Sequence, residues 1–202
     1  EKDGIDSLNT MILGLFNKKR LLNVIKNFIY FPDFSQKEEK IVCRYPQYYA
    51  SNMLLDSIKN NMKPMGNGKG GTYFGATGCG KSYTMLYLTR LLMKDVDLKN
   101  PTIILITDRT DLDDQLAKTF ENSKDFIGDN IVKKVENRDE LRKILSETES
   151  GGVYLTTIQK FSEGLNLLSD RNNIICISDE AHRSQTNIDK TYKITDSEVK
   201  IK

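Results

Sequence analysis

The sequence predicts a three-layer α/β fold built on a parallel sheet and preceded by a short helical segment. Three observations carry that expectation. From residue 72 onward, short apolar runs alternate with amphipathic stretches of helical length. That order packs helices against a parallel sheet through right-handed crossovers. Residues Gly75-Ala76-Thr77-Gly78-Cys79-Gly80-Lys81-Ser82 fill the phosphate-loop pattern G-x-x-x-x-G-K-S/T at every required position. Asp179-Glu180 follow directly on the apolar run Ile174 to Ile177, which puts an acidic pair at the carboxyl end of a strand, where open α/β sheets bind ligands.

Apolar residues recur at helix-like spacing from Ile5 to Phe31, interrupted by Gly14 and the basic run Lys18-Lys19-Arg20, so two short amphipathic helices are predicted. Pro32-Asp33 and the charged segment 36–40 read as a turn and linker, with a boundary near residue 40. Glu38-Glu39-Lys40 after Pro32-Asp33 mimics a nuclease signature, but the spacing is too short to build converging strands. Tyr48 to Met62 is predicted helical and is ended by Pro64 and the glycines at 66, 68, 70 and 71. Thr72 to Phe74 is expected as a strand feeding the phosphate loop, and Tyr83 to Met93 as the helix leaving it. Further strands are predicted at Thr102 to Thr107, Ile131 to Val135, Val153 to Thr157 and Ile174 to Ser178. The intervening helices are expected at Leu112 to Phe120, Glu140 to Glu147 and Phe161 to Leu168.

The chain has 202 residues, enough for one sizeable core, and a net charge of +2 with a pI near 8.3. That falls short of the strongly basic footprint of a dedicated nucleic-acid binder, so any DNA contact has to come from local groups. The three cysteines, Cys43, Cys79 and Cys176, are odd in number and far apart, which favours a reducing, cytoplasmic setting. No apolar stretch approaches membrane-spanning length, and no membrane partner is expected.

Consecutive loop amides facing inward form an anion nest, and the helix that follows adds its unpaired amides and positive dipole end. In that frame Lys81 reaches the β- and γ-phosphates of a nucleoside triphosphate such as ATP, and Ser82 coordinates Mg²⁺. Asp179 is placed to hold the same Mg²⁺, while Glu180 orients and polarises the attacking water. His182, the sole histidine, sits where it can couple nucleotide state to movement. Bland readings stand beside these: Cys79 is a small residue in a tight loop, and Arg183 and Gln185 are solvated helix residues.

Together the phosphate loop and Asp179-Glu180-Ala181-His182 resemble motifs I and II of superfamily 2 helicases and translocases. The extension through Arg183-Ser184-Gln185 resembles the motor subunit of Type I restriction-modification enzymes. Other segments agree in order. Arg44-Tyr45-Pro46-Gln47 resembles the adenine-reading Q motif, which implies Gln47, with Arg44, at the base. Thr107-Asp108-Arg109-Thr110-Asp111-Leu112 through Gln115 resembles motif Ia, and Thr156-Thr157-Ile158-Gln159-Lys160-Phe161 resembles motif Ib. The resemblance implies sequence-independent DNA contacts from Arg109, Thr156, Thr157, Gln159 and Lys160. Read without it, Arg109 and Lys160 are solvated loop charges, and the carboxylates at 108, 111, 113 and 114 repel phosphate.

The resemblance further implies a RecA-like P-loop NTPase. Residues 1–40 form a helical linker from a nuclease domain, and 41–202 an incomplete first motor domain that stops after motif II. The expected partners are double-stranded DNA and the methylation and specificity subunits; the expected cofactors are ATP and Mg²⁺. Two alternatives stay open on the residues alone: another superfamily 2 DNA or RNA helicase, and a nucleotide-binding assembly module without turnover.

Overall fold

The computed structural model describes residues 4–32, 39–108, 110–158, 168–179, 192–195 and 198–201. In chain order these form helices α1 (Gly4–Leu15) and α2 (Lys18–Asn27), strands β1 (Ile29–Tyr30) and β2 (Ile41–Val42), and helices α3 (Tyr45–Asn61) and α4 (Lys81–Lys94). Strand β3 (Thr102–Thr107), helices α5 (Thr110–Glu121) and α6 (Lys124–Ile127), strand β4 (Val132–Lys134) and helix α7 (Arg138–Glu147) follow. Strands β5 (Val153–Thr157), β6 (Ile174–Ser178), β7 (Tyr192–Thr195) and β8 (Glu198–Ile201) complete the order.

The sheet is four-stranded with order β4-β5-β3-β6, and every pairing in it is parallel. β3 reads Thr-Ile-Ile-Leu-Ile-Thr and is buried along its whole length. Such an uninterrupted apolar run suits a strand covered on both faces. Alternation then sorts its side chains. Ile103 and Leu105 join a cluster with Leu86, Leu92, Phe120, Val153 and Leu155, so α4 and α5 cover one face. Ile104 and Ile106 pack with Tyr154, Val135, Leu141 and Leu145, which puts α7 on the other. The RecA-like α/β architecture expected from the sequence is present.

α4 is buried on nearly all sides, from Thr84 through Leu92 with only Arg90 partly open. A helix apolar all round needs cover all round. The sheet supplies one side. Val24 and Phe28 from the amino-terminal segment meet Tyr87 and Leu91 on another, with Tyr48 against Phe28 at 4.9 Å between ring centroids. The expected helix through Phe31 ends at Asn27. Its last residues instead form β1, which pairs antiparallel with β2 across residue 40. Burial of Tyr30 at the core explains the exchange, since an extended backbone drops that ring inward. α1 leaves Leu8, Met11 and Leu13 open to solvent.

Other expectations shift as well. α3 begins at Tyr45 rather than Tyr48, because Pro46 occupies the first turn, where its missing N–H costs nothing. α7 begins at Arg138, capped by Asn137, whose side chain accepts from the Glu140 amide at 2.9 Å. Thr72 to Phe74 is not a strand. A strand needs a ladder partner, and a groove of about 840 Å³ lined by Thr72, Tyr73 and Phe74 on one side and by β6 on the other separates the two. The helix expected at Phe161 to Leu168 lies outside the described residues except for Leu168, which is not helical.

Two measurements follow from the packing. Leu86 is fully buried whereas Leu13 is 69 % exposed. Leu86→Ala should lower the unfolding free energy by roughly 2–5 kcal/mol, and Leu13→Ala should stay within about 0.5 kcal/mol, both by urea denaturation. Burial pushes the Cys43 thiol from about 9 up to about 11. Its alkylation by iodoacetamide should therefore be roughly a hundredfold slower at pH 8 than that of a free thiol, and should rise about tenfold per pH unit until pH approaches 11. Peptide mass spectrometry reads that rate.

Candidate phosphate-binding site

Helices α2 and α7 each begin with a side-chain cap. Asn17 accepts from the amides of Lys19 and Arg20, and Asn137 from that of Glu140. α4 has none: its cap residue is Gly80, in the left-handed region at φ +85 and ψ 39, with no side-chain cap hydrogen bond. A helix amino end without a side-chain cap attracts an anion. Gly78 is also left-handed, at φ +78. Left-handed residues within a run of loop amides turn successive N–H groups toward one concavity.

Two side chains complete the loop. The Lys81 ammonium donates to the Gly75 carbonyl at 3.2 Å, arching over the turn it follows. Ser82 is exposed on the first turn of α4. Ala76, Thr77 and Gly78 form the exposed tip, and the Cys79 amide closes it by donating to Ala76 at 3.2 Å. The Tyr73 hydroxyl lies 4.0 Å from the Cys79 sulfur.

Asp179 arrives from the sheet. Its amide donates to the Ile106 carbonyl at 2.8 Å, so the β3–β6 ladder runs one step past Ser178 and holds the residue at the carboxyl edge. Half-buried, Asp179 lines the same groove as Gly75, Thr77 and Lys81. At the opposite end of β6, Arg171 anchors the approach to the strand. It donates to the Thr148 carbonyl, to Thr102 Oγ1 at 2.8 Å and to Asn173 Oδ1 at 3.0 Å.

The sheet register brings the other motifs to the same edge. Thr107 pairs with Thr157, and Ile106 with Ser178. Asp108, Ile158 and Asp179 therefore leave the sheet side by side. Thr156 and Thr157 are 1 % and 2 % exposed, and Thr156 Oγ1 has no hydrogen-bond partner among the described residues. Arg109, Gln159, Lys160, Glu180 and His182 lie outside the described residues, as do Arg183 and Gln185.

Arg44 is exposed at the start of α3, whereas Gln47 is 4 % exposed. Gln47 Oε1 accepts from the Arg44 amide at 2.7 Å, and its Nε2 donates to the Gly80 carbonyl at 3.1 Å. Motif reading missed Ser51. It is fully buried one turn further along α3, and its hydroxyl donates to the Thr84 carbonyl at 3.3 Å. Its place four residues after Gln47 on the same helix face was the available signal.

Comparison with known proteins agrees with this geometry. The SWI2/SNF2 ATPase family model matches residues 46–198. The endonuclease subunit of the Type I restriction enzyme HindI from Haemophilus influenzae is 42 % identical over 186 residues, 89 % of this chain and 18 % of that protein. Putative Type I restriction endonuclease subunits from Methanocaldococcus jannaschii, MjaIXP and MjaVIIIP, are 35 % and 30 % identical over 88 % and 87 % of this chain. The chain spans less than a fifth of the length of each of these relatives.

Gly80→Ala would combine backbone strain at φ +85 with a Cβ placed 2.5 Å from Gln47 Nε2. It should lower stability by about 1–3 kcal/mol in thermal or urea unfolding, whereas alanine at the exposed, non-left-handed Asn67 should not.

Proposed function

Because the chain belongs to the SWI2/SNF2 ATPase family and so uses ATP, we propose that it binds Mg²⁺-ATP at Gly75–Ser82 and hydrolyses it as part of a motor that moves double-stranded DNA in a Type I restriction complex. One observation carries the reading: the phosphate loop, with α4 uncapped behind it, and Asp179 line a single groove at the carboxyl edge of the sheet. Two parts of the fold remote in sequence converge there on the groups that a nucleoside triphosphate requires.

The loop amides and the start of α4 bind the phosphates, and Lys81 exchanges the Gly75 carbonyl for phosphate oxygens. Ser82 and Asp179 supply hard oxygen donors. That sparse set suits Mg²⁺, which takes one or two protein oxygens and completes its shell with phosphates and water. When bound, Mg²⁺ neutralises charge developing on the transferred phosphoryl group. Glu180 orients and polarises the attacking water, and His182 transmits nucleotide state. Gly75, Ala76, Thr77, Gly78, Cys79 and Gly80 act through backbone, not side chains.

Arg109, which follows β3 in sequence, and Gln159 and Lys160, which follow β5, are the proposed contacts to the DNA backbone, made without reading sequence. Thr156 and Thr157, buried in β5, form the strand end from which Gln159 and Lys160 follow in sequence. The spacing between Pro32-Asp33 and Glu38-Glu39-Lys40 is too short for a nuclease centre, so the proposal gives this chain the motor and not the cutting step. Methylation and specificity subunits are the proposed partners. No helix among the described residues is long and apolar enough to cross a membrane. The three cysteines, odd in number and far apart in the sequence, support cytoplasm as the proposed location.

ATP turnover of the full chain, with its partner subunits and with or without double-stranded DNA, tests the reading. Lys81→Ala should abolish ATP binding. Asp179→Ala and Glu180→Gln should lower kcat by at least about 100-fold while leaving a folded protein. DNA should stimulate the wild type. Turnover that survives all three substitutions would sink the proposal, and ATP binding without turnover in the wild-type assembly would favour a binding module.

A further inference from the structure

α3 and α4 run side by side in the same direction, since Gln47 meets Gly80, Ser51 meets Thr84 and Lys59 meets Asp95. α2 lies against both. Val24 and Phe28 pack with Tyr87 and Leu91 of α4, and Arg90 of α4 donates to the Lys26 carbonyl at 3.0 Å. Toward α3, Asn23 Nδ2 donates to the Tyr48 hydroxyl at 3.3 Å and to Asn52 Oδ1 at 3.2 Å. The Arg20 guanidinium lies over the Tyr49 ring, 5.6 Å from its centroid, and donates to the Gly14 carbonyl, which ties the end of α1 to α2. One face of α2 is therefore fixed on the core, and the opposite face is fixed outward.

That outward face is cationic and apolar at once. Lys18, Lys19, Leu22, Ile25 and Lys26 are exposed and, by helical spacing, fall within about 120° of one another around the axis. Among the described residues no ion pair neutralises any of the three lysines, and the first turn of α2 holds no acidic residue. α1 continues the apolar surface. Leu8, Met11, Ile12, Leu13 and Leu15 are exposed and spread over about 200° of its circumference, an arc wider than a flat surface covers. Contiguous exposed apolar surface marks an interaction site, and this curvature calls for a groove that accepts a helix.

We infer that α1 and the outward face of α2 dock in an apolar groove, rimmed by carboxylates, on a further domain of the same polypeptide. Charge and shape select that occupant. A second copy would set lysine against lysine. DNA would meet the lysines but leave Leu22, Ile25 and the apolar arc of α1 in water. An anionic bilayer covers one side of a helix that keeps a polar face to water, which is less than the arc on α1 requires. This chain matches less than a fifth of each of the three relatives, so more than four-fifths of their length remains to build such a domain. A domain on the same chain also meets α1 at high effective concentration. The contact stands apart from the ATP site and does not depend on it.

Hydrogen exchange of the full-length polypeptide, read by mass spectrometry, tests this. Amides of residues 8–16 should be protected in the wild type with no other component added. Leu13→Glu, and the triple change Lys18→Glu, Lys19→Glu and Lys26→Glu, should each speed their exchange by at least about tenfold. Arginine at the same three lysine positions should not. Exchange across β3 should stay slow in every variant, as the mark of an intact core. Rapid exchange of residues 8–16 in the wild type would mean that nothing on the polypeptide covers them, and the inference fails. Protection that appears only as protein concentration rises points to a second copy, and only with phosphatidylglycerol vesicles to a membrane. Protection only with duplex DNA points to nucleic acid, and only with the partner subunits to a separate protein. Each of these overturns the inference. So does protection that survives the triple reversal, because the groove would then lack its acidic rim.

Discussion

Strand β3 is hydrogen-bonded on both sides, to β5 and to β6, and both ladders are parallel and in close register. That register is what gathers the chemistry. Parallel neighbours end at the same edge, so Asp108, Ile158 and Asp179 emerge together although their positions in the chain are widely separated. A slip of one residue in either ladder would turn the side chains of that strand to the other face. The apolar alternation of Ile103 and Leu105 against Ile104 and Ile106, each set locked into a different helical layer, forbids it.

Polar groups do a second kind of work behind the sheet. α4 is the helix around which the layers assemble, and a wholly apolar contact with α3 would leave it free to slide. Buried donors on α3 that reach named carbonyls of α4 set its axial position, since each is satisfied at one offset only. Lys59 fixes the far end, bonded to both Asp95 and Asp97 where solvent screens the charge. Apolar burial supplies the attraction and these bonds supply the address.

Much of this was legible in the residues. Runs such as Thr102 to Thr107 and Val153 to Thr157 have the length, branching and bounding turns of buried strands, and the structure keeps those limits to the residue. The phosphate-loop pattern was recognisable because each position in it calls for a particular residue type, and the structure brings that segment and Asp179 to one groove. Local pattern could not show what depends on partners. Thr72 to Phe74 has strand composition but no strand beside it, and Ile29-Tyr30 has helical spacing but a core that calls for an extended chain. Thr156 and Thr157 look like surface hydroxyls in a motif, yet they end a strand, β5, that is buried along its whole length. The inward orientation of Gln47 depends on a glycine 33 residues away, which no window on the sequence contains.

The parallel alignment of α3 and α4 also explains where the loop comes from. Two successive helices pointing the same way oblige the chain to travel back before the second can start. α3 is roughly 25 Å long at 1.5 Å per residue. The stretch from Met62 to Gly80 that makes the return could span about 60 Å if pulled straight. The journey thus leaves a surplus of backbone more than equal to the distance covered. That slack is free to fold on itself, and its last residues are the ones curled into the Gly75–Gly80 cradle. In this fold the Gly75–Gly80 loop is the coiled remainder of a return path, delivered by topology to the foot of α4.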